Sequence, residues 1–280
     1  MLTLRVTHAG DPPKGSHYDD FKIVDLQRRI FLTGDGVGLN PASQEASTYA
    51  LAAAYYFLQQ NAVHFENGII PEEQISEYIK DGIEHGNKVL FTLSEHYDWF
   101  YHQRNPTSEK KRAGTTTQVC YFLNGRLYAG RVGNDGSIYL IRGGTIRNIA
   151  VETEVEGRDE GLEKLKALTG EDSVGDYLGK SAEVKPQLSP PQDLEAGDIV
   201  VMTTDGLDKL LFQDEIREIV QTTPNFRDTA FNLVNAARHH PYKVADYISE
   251  KKGMKPSEFI QSAAYKDAIT VIPIQVCEGG

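Results

Sequence analysis

Residues 29–38 read Arg-Ile-Phe-Leu-Thr-Gly-Asp-Gly-Val-Gly, an apolar run that leads directly into Asp35 with a glycine on each side. The run is typical of a buried β-strand that stops at Asp35. The flanking glycines let backbone or ligand approach closely. A carboxylate at a strand end, beside an accessible backbone carbonyl, suits a hard cation such as Mg²⁺ or Mn²⁺. A tight turn with a solvated Asp35 explains the same residues, because Asp-Gly is a common turn dipeptide.

The pairing of an acid with a strand end recurs along the chain. The apolar run 199–204 ends in Asp205, which a glycine again follows. Asp267 stands directly before the β-branched run 268–272, and Asp19 and its neighbour precede the strand-like run 21–24. Each of these points is weak alone. Together the four acidic strand ends predict one metal cluster, provided that the strands converge.

Five motifs, in one order, give the chain its resemblance to a known family. The chain resembles the metal-dependent Ser/Thr protein phosphatases of type 2C (PPM) over residues 2–276. The matching segments, with the family pattern that each resembles, are 31–38 (Ala-Asp-Gly-Met/His-Gly-Gly), 113–117 (Gly-Thr-Thr), 127–135 (apolar-Val-Gly-Asp-Ser), 197–207 (Gly-Asp-x-apolar-Ser-Asp-Gly-Leu) and 267–271 (Asp-Asn-Ile-Thr-Val). The motifs are specific jointly, although no single one would suffice.

The resemblance implies a site with two Mg²⁺ or Mn²⁺ ions. Asp35 resembles the ligand that bridges the two ions, and Gly36 would offer its backbone carbonyl. Asp205 and Asp267 resemble the remaining ligands of the first ion. Asp19 matches the acid that orients metal-bound water, although a solvated carboxylate at a strand start explains it too.

Lys14 lies five residues before Asp19, where the family usually has an arginine that grips the substrate phosphate. Lysine keeps the charge of arginine but loses its bidentate geometry. The alternative for Lys14 is an exposed loop lysine.

Several positions depart from the family pattern. Asn134 stands at the ligand position of a weaker third ion, which Asp135 could serve instead. Asp208 falls one residue earlier than the usual acid after Asp-Gly-Leu, and this leaves Lys209 at that position. The predicted two-metal set is therefore intact, and the residues around it are divergent.

Composition restricts the class of protein. The 280 residues carry a formal net charge of −11, which disfavours non-specific binding to nucleic acid or to anionic membranes. Two cysteines make a disulfide framework implausible. The first residues alternate like a strand and lack a signal-peptide core, and no apolar run is long enough to span a bilayer. We therefore expect a cytoplasmic, monomeric protein.

The order of elements predicts an α+β fold. A hairpin at 21–34, helices at 42–60 and 72–101, and a final strand at 268–276 are its clearest parts. Asn124-Gly125 and Gly143-Gly144 predict two hairpins that we expect to form one antiparallel meander. Residues 189–191 (Ser-Pro-Pro) predict an extended break, and 240–259 a helical insertion. The resemblance implies the same architecture, a four-layer αββα sandwich of two central antiparallel sheets flanked by helices, in a single domain over residues 1–280.

Two hypotheses of function follow. In the first, the chain is an active phosphatase for phosphoserine and phosphothreonine, whose partners are phosphorylated proteins made by Ser/Thr kinases. In the second, it is a degenerate relative that binds a phosphoprotein without turnover. Three converging carboxylates favour the first, because a pure binding module has no chemical need for them. A phosphohydrolase of small molecules is a third, more distant alternative.

Overall fold

A computed structural model describes most of the chain. The described residues are 2–11, 19–37, 42–104, 112–134, 136–150, 160–162, 164, 175–239, 241–253, 255 and 268–279. Their strands are β1 (Leu2–Val6), β2 (Ala9–Asp11), β3 (Phe21–Asp25), β4 (Ile30–Gly34), β5 (Thr117–Leu123), β6 (Arg126–Val132), β7 (Ile138–Arg142), β8 (Thr145–Asn148), β9 (Gln187–Asp193), β10 (Ile199–Thr203) and β11 (Ile269–Glu278). Their helices are α1 (Ser43–Glu66), α2 (Ile75–Arg104), α3 (Asp205–Asp208), α4 (Gln213–Thr222), α5 (Thr229–His239) and α6 (Tyr242–Lys252).

The chain divides into two compact units. The five-stranded unit comprises residues 19–135 and 174–194, and the six-stranded unit comprises residues 1–18, 136–173 and 195–280. Each unit holds one antiparallel sheet with helices packed on it. The prediction of two antiparallel sheets with accompanying helices is confirmed.

The five-stranded unit has the strand order β3-β4-β5-β6-β9. Its core forms where one face of the sheet, with Ile30 and Leu32, packs on α1 and α2. Helix α1 buries Ala50, Leu51 and Leu58 among others, at helical spacing, so one side of the helix faces the sheet. The opposite face of the sheet is also buried, and there Phe31 packs edge-to-face on Phe122 at 5.5 Å between ring centroids.

The six-stranded unit has the order β1-β11-β10-β7-β8, with β2 also paired to β11. The first and last strands of the chain are therefore neighbours in one sheet. Tyr139, Val201 and Val271 lie on the face that packs on helices α3 to α6. The predicted helical insertion at 240–259 is confirmed in its described part by α6.

The prediction that the two hairpins form one antiparallel meander is wrong. The two hairpins form, but β5 and β6 belong to the five-stranded sheet, whereas β7 and β8 belong to the six-stranded one. The chain leaves β6 through Gly133 and Gly136, whose φ angles of 95° and 92° suit a change of direction that other residues resist. The side of β6 that does not pair with β5 pairs with β9 instead of β7.

Two strands were not predicted from the sequence. Residues 189–191 were predicted to break the chain, yet they lie inside β9. Proline is tolerated there because β9 is an edge strand and need not donate every backbone hydrogen bond. Residues 9–11, for which no strand was predicted, form the short strand β2 along β11. Among the described helices, none combines the length and the hydropathy that crossing a bilayer requires.

Candidate metal centre

The β3–β4 hairpin brings two acidic residues face to face. Its register pairs Phe21 with Gly34, and the Gly36 amide donates a hydrogen bond to the Asp19 carbonyl at 3.2 Å. The ladder thus continues past the strand ends, with Asp20 opposite Asp35. This pair lies between two hydrogen-bonded pairs, where opposed side chains approach most closely.

A cluster of three carboxylates results from this register. One oxygen each of Asp19, Asp20 and Asp35 lies within 4.8 Å of the others. Asp20 is 2% exposed and Asp35 is 6% exposed, while Asp19 is half-buried. Opposed like charges destabilise a sheet, and oxygen donors at this spacing fit a hard divalent cation. In the part of the chain that the structure describes, this is the one such group of acidic, histidine or cysteine side chains.

Sequence reasoning missed Asp20. It placed Asp19 in the site as the acid that orients water and gave the adjacent Asp20 no role. Strand alternation shows only that Asp19 and Asp20 lie on opposite faces, and the pairing register decides which of them faces Asp35. Asp20, two residues before Lys22 and directly opposite Asp35, is the one on the strand face of Asp35.

The Gly-Thr-Thr segment holds the backbone of Asp35. The Asp35 amide donates to Thr116 Oγ1 at 3.1 Å. The Asp35 carbonyl accepts from the Thr116 amide at 2.9 Å and from Thr115 Oγ1 at 2.8 Å. All three residues are buried, so these bonds are shielded from water and fix the direction of the Asp35 carboxylate.

Helix α1 closes on the residues beside Asp35. A Cβ at position 36 would lie 2.3 Å from the carbonyl oxygen of Ser43, so only glycine allows the helix to begin there. Ser47 Oγ donates to the Asp19 carbonyl at 2.6 Å. The helix therefore anchors the backbone of both predicted site residues, Asp19 and Gly36.

In the six-stranded unit, Asp205 follows the end of β10 and begins α3. The Thr204 amide donates to the Thr270 carbonyl at 3.0 Å, and the Thr270 amide donates to Thr204 Oγ1 at 2.9 Å. A Cβ on Gly206 would lie 1.8 Å from the Ala268 carbonyl oxygen. The backbone beside Asp205 is thus pressed against the start of β11. Asp267 directly precedes that start and lies outside the described residues.

Two basic residues lie next to acids of interest, one beside the predicted ligand Asp205 and one beside Asp20 of the carboxylate cluster. Lys209 Nζ is 2.5 Å from Asp205 Oδ2. In the five-stranded unit, Lys22 of β3 lies two residues after Asp20 and on the same face of the hairpin. Burial lowers the pKa of Lys22, and the negative charge of Asp20 opposes that shift.

The Asp208 carboxylate makes hydrogen bonds that join elements of the fold. Its Oδ1 accepts hydrogen bonds from Thr203 Oγ1 at 2.9 Å and from the Tyr139 hydroxyl at 3.3 Å. Burial raises the pKa of Asp208, while the charge of Lys164 and these hydrogen bonds act in the opposite direction. The carboxylate therefore ties α3 to β7 and β10.

Other predicted site residues have no described position. Lys14 and Asp135 lie outside the described residues, as Asp267 does. Asn134 is described and exposed at the turn after β6. A third ion at Asn134 or Asp135 stays a prediction.

Comparison with known proteins gives relatives by sequence and by fold. No protein-family model matches the chain. The chain is 25% identical over 176 residues to "Protein phosphatase PhpP" of Streptococcus pneumoniae, a match that covers 56% of this chain and 70% of that protein.

Solved structures share the fold along nearly the whole chain. The catalytic domain of the serine/threonine protein phosphatase PstP, in complex with two manganese ions, matches with a TM-score of 0.66, 18% identity, and coverage of 99% of this chain and 100% of that one. The PPM Ser-Thr phosphatase MsPP from Mycobacterium smegmatis matches with a TM-score of 0.61 and 17% identity over 97% of both chains. The predicted fold class and the resemblance to the type 2C family are confirmed.

Proposed function

We propose that this chain is a Mg²⁺- or Mn²⁺-dependent protein phosphatase that hydrolyses phosphoserine and phosphothreonine. The observation that carries the proposal is the cluster of Asp19, Asp20 and Asp35 at the end of a buried hairpin. A fold shared with Ser/Thr phosphatases, one of them solved with two manganese ions, supports it.

The proposed metal ligands are those that the sequence predicts, with one addition. Asp35, the Gly36 carbonyl, Asp205, Asp267 and Asp19 form the predicted set. The burial of Asp20 and its position opposite Asp35 favour its inclusion. The donors are all oxygens, as Mg²⁺ and Mn²⁺ prefer. Two such ions, when bound, would neutralise the phosphoryl oxygens and activate water.

The chain's own residues would position the reactants. Thr115 and Thr116 fix the Asp35 backbone, so its carboxylate needs little reorganisation when a ligand arrives. Lys14 would hold a phosphate oxygen, and Asp19 would accept a hydrogen bond from the attacking water. That water gives up a proton to solvent and forms the new P–O bond as the bond to the seryl or threonyl oxygen breaks, and the leaving oxygen takes a proton from solvent.

The proposal extends to the cellular setting. The substrate would be a phosphorylated protein, the product of a Ser/Thr kinase, in the cytoplasm, where such a phosphatase would act in signalling. The formal net charge of −11 disfavours nucleic acid as a partner. We further propose that the chain acts as a monomer.

Hydrolysis assays test the function. With p-nitrophenyl phosphate and with phosphoserine and phosphothreonine peptides, we expect turnover in Mn²⁺ or Mg²⁺ that EDTA abolishes and added metal restores. Activity that survives exhaustive chelation contradicts the two-metal mechanism. Phosphopeptide binding without turnover under all metal conditions would instead support the degenerate binding module.

A further inference from the structure

The proposed ligand Asp205 already has a cationic neighbour. Lys209 Nζ lies 2.5 Å from Asp205 Oδ2, and the two side chains are only 22% and 14% exposed respectively. The Lys209 amide also donates to the Asp205 carbonyl at 2.7 Å, so one helical turn sets the spacing of the two side chains. An acid placed four residues before a lysine is the favourable order for such a pair.

Enclosure makes this pair stronger than an ordinary surface ion pair. Exposed pairs gain little, because water screens both charges. Asp205 and Lys209 are largely shielded, so their attraction acts in a medium of lower effective dielectric. By contrast, the Lys243–Asp214 pair of the same unit has a similar distance of 2.6 Å but side chains 47% and 53% exposed.

A divalent cation and the Lys209 ammonium cannot share Asp205 without cost. Both are positive, and at a few ångströms in a partly enclosed environment their repulsion is substantial. A cation that takes Asp205 as a ligand must therefore displace the ammonium or bind against its charge. Either course lowers the affinity of the site for metal.

We propose that Lys209 acts as an internal competitor for Asp205 and so sets the metal concentration at which the site fills. In the metal-free protein Lys209 holds the Asp205 carboxylate, and metal binding breaks this ion pair. Lys209 is thus a positioning residue whose effect passes through Asp205. The inference rests on the proposed function, since it takes Asp205 to be a metal ligand.

Calorimetric titration of the full chain tests the inference without any activity assay. Protein stripped with EDTA and dialysed is titrated with Mn²⁺ and with Mg²⁺, as wild type, Lys209→Met, Lys209→Arg and Lys243→Met. We expect Lys209→Met to bind metal about tenfold more tightly, because the competing charge is gone. Lys209→Arg keeps the charge and should stay within about threefold of wild type. Lys243→Met, the matched control, should not change the Kd.

A Kd for metal that is unchanged or higher in Lys209→Met than in wild type overturns the inference. If Lys209→Met has a lower Tm than wild type, the inference requires that Lys209→Gln also bind metal more tightly than wild type. A higher calorimetric Kd for inorganic phosphate in Lys209→Met, with unchanged metal affinity, would make Lys209 an anion-binding residue and also overturn the inference. An equal Kd for metal in all four proteins overturns the inference and leaves the proposed function intact. Absence of metal binding to wild type contradicts both the inference and the proposed function.

Discussion

Asp20 and Asp35 are two nearly buried carboxylates on opposed positions of a hairpin, an arrangement that costs free energy unless a cation lies close by. Lys22 supplies one positive charge two residues along the same face. Three carboxylates whose oxygens lie within 4.8 Å of one another are, at the scale of the residue, the physical reason to expect a divalent ion here.

Two single substitutions distinguish the contributions of the neighbouring acids Asp19 and Asp20. We expect Asp20→Asn to weaken Mn²⁺ binding and phosphatase activity more strongly than Asp19→Asn, by about tenfold or more, because Asp20 is nearly buried and faces Asp35. Calorimetry and hydrolysis of p-nitrophenyl phosphate measure the two effects. Asp81→Asn, a change on the exposed side of α2, serves as the control. A larger effect of Asp19→Asn would restore the original assignment from sequence.

What the sequence can predict differs between these residues. The strand-end positions of Asp35 and Asp205 were predictable, because an apolar run followed by Asp-Gly marks a strand end by local pattern alone. Asp20 was not identified, because two consecutive acids can be told apart only by the pairing register. The Asp205–Lys209 contact also escaped prediction, since the four-residue spacing acts only if the chain turns into a helix at Asp205.

At the scale of the element, α1 is joined to the end of β3 by a polar contact. The Tyr55 hydroxyl donates to Asp25 Oδ2 at 2.6 Å, and the Arg28 amide donates to Asp25 Oδ1 at 3.0 Å. Burial acts to raise the pKa of Asp25, but the hydrogen bonds from Tyr55 and Arg28 and the charge of Arg28 outweigh it. The pKa of Asp25 is therefore lowered. Burial and the Asp25 hydrogen bond raise the pKa of Tyr55 to about 12.

This contact predicts a pH-dependent stability. Because the pKa of Asp25 is lower in the folded than in the unfolded chain, its contribution is complete above the unfolded value of about 3.9 and disappears as pH falls through the folded value. We expect Asp25→Asn to lower the Tm at pH 7 by a few degrees, and the gap to close below about pH 4. Thermal unfolding from pH 7 to pH 3 measures it, with Asp81→Asn as control. A gap that persists unchanged at pH 3 would contradict the role of the charge.

Element boundaries were predicted less well than element types. Helix α1 runs to Glu66, six residues beyond the predicted end, because Ala62 and Phe65 continue its buried side. Strand β9 was missed because its prolines are tolerated only at a sheet edge, and edge position is a property of the fold. The division of the two hairpins between two sheets likewise depends on which partner β6 finds.

At the scale of the whole molecule, the two units are interleaved in the sequence. The six-stranded unit takes three segments of the chain and the five-stranded unit takes two. Strands β1 and β11 pair, so the six-stranded sheet needs both terminal parts of the chain. Neither unit corresponds to one continuous piece, which is compatible with the single domain predicted over residues 1–280. That single domain stays a prediction.

Metal binding should be visible in the stability of the whole chain. A ligand that binds only the folded state raises the Tm, so we expect Mn²⁺ to raise the Tm of wild type in a saturable way that EDTA reverses. Asp35→Asn keeps the size of the side chain but removes its charge and one good metal-binding oxygen. We therefore expect the metal-induced shift to shrink and hydrolysis to fall by orders of magnitude.

The metal-free Tm distinguishes loss of function from loss of fold. Asp35→Asn should leave the Tm of the EDTA-treated protein unchanged or raise it, because Asp35 then no longer repels Asp19 and Asp20. The hydrogen bonds of the Asp35 backbone to Thr115 and Thr116 do not involve the substituted atoms, so the hairpin should keep its anchor. Thermal unfolding with EDTA and with Mn²⁺, on wild type and Asp35→Asn, gives both comparisons. Full activity and a wild-type metal-induced shift in Asp35→Asn would mean that Asp35 is a turn residue and that the proposed metal centre is wrong.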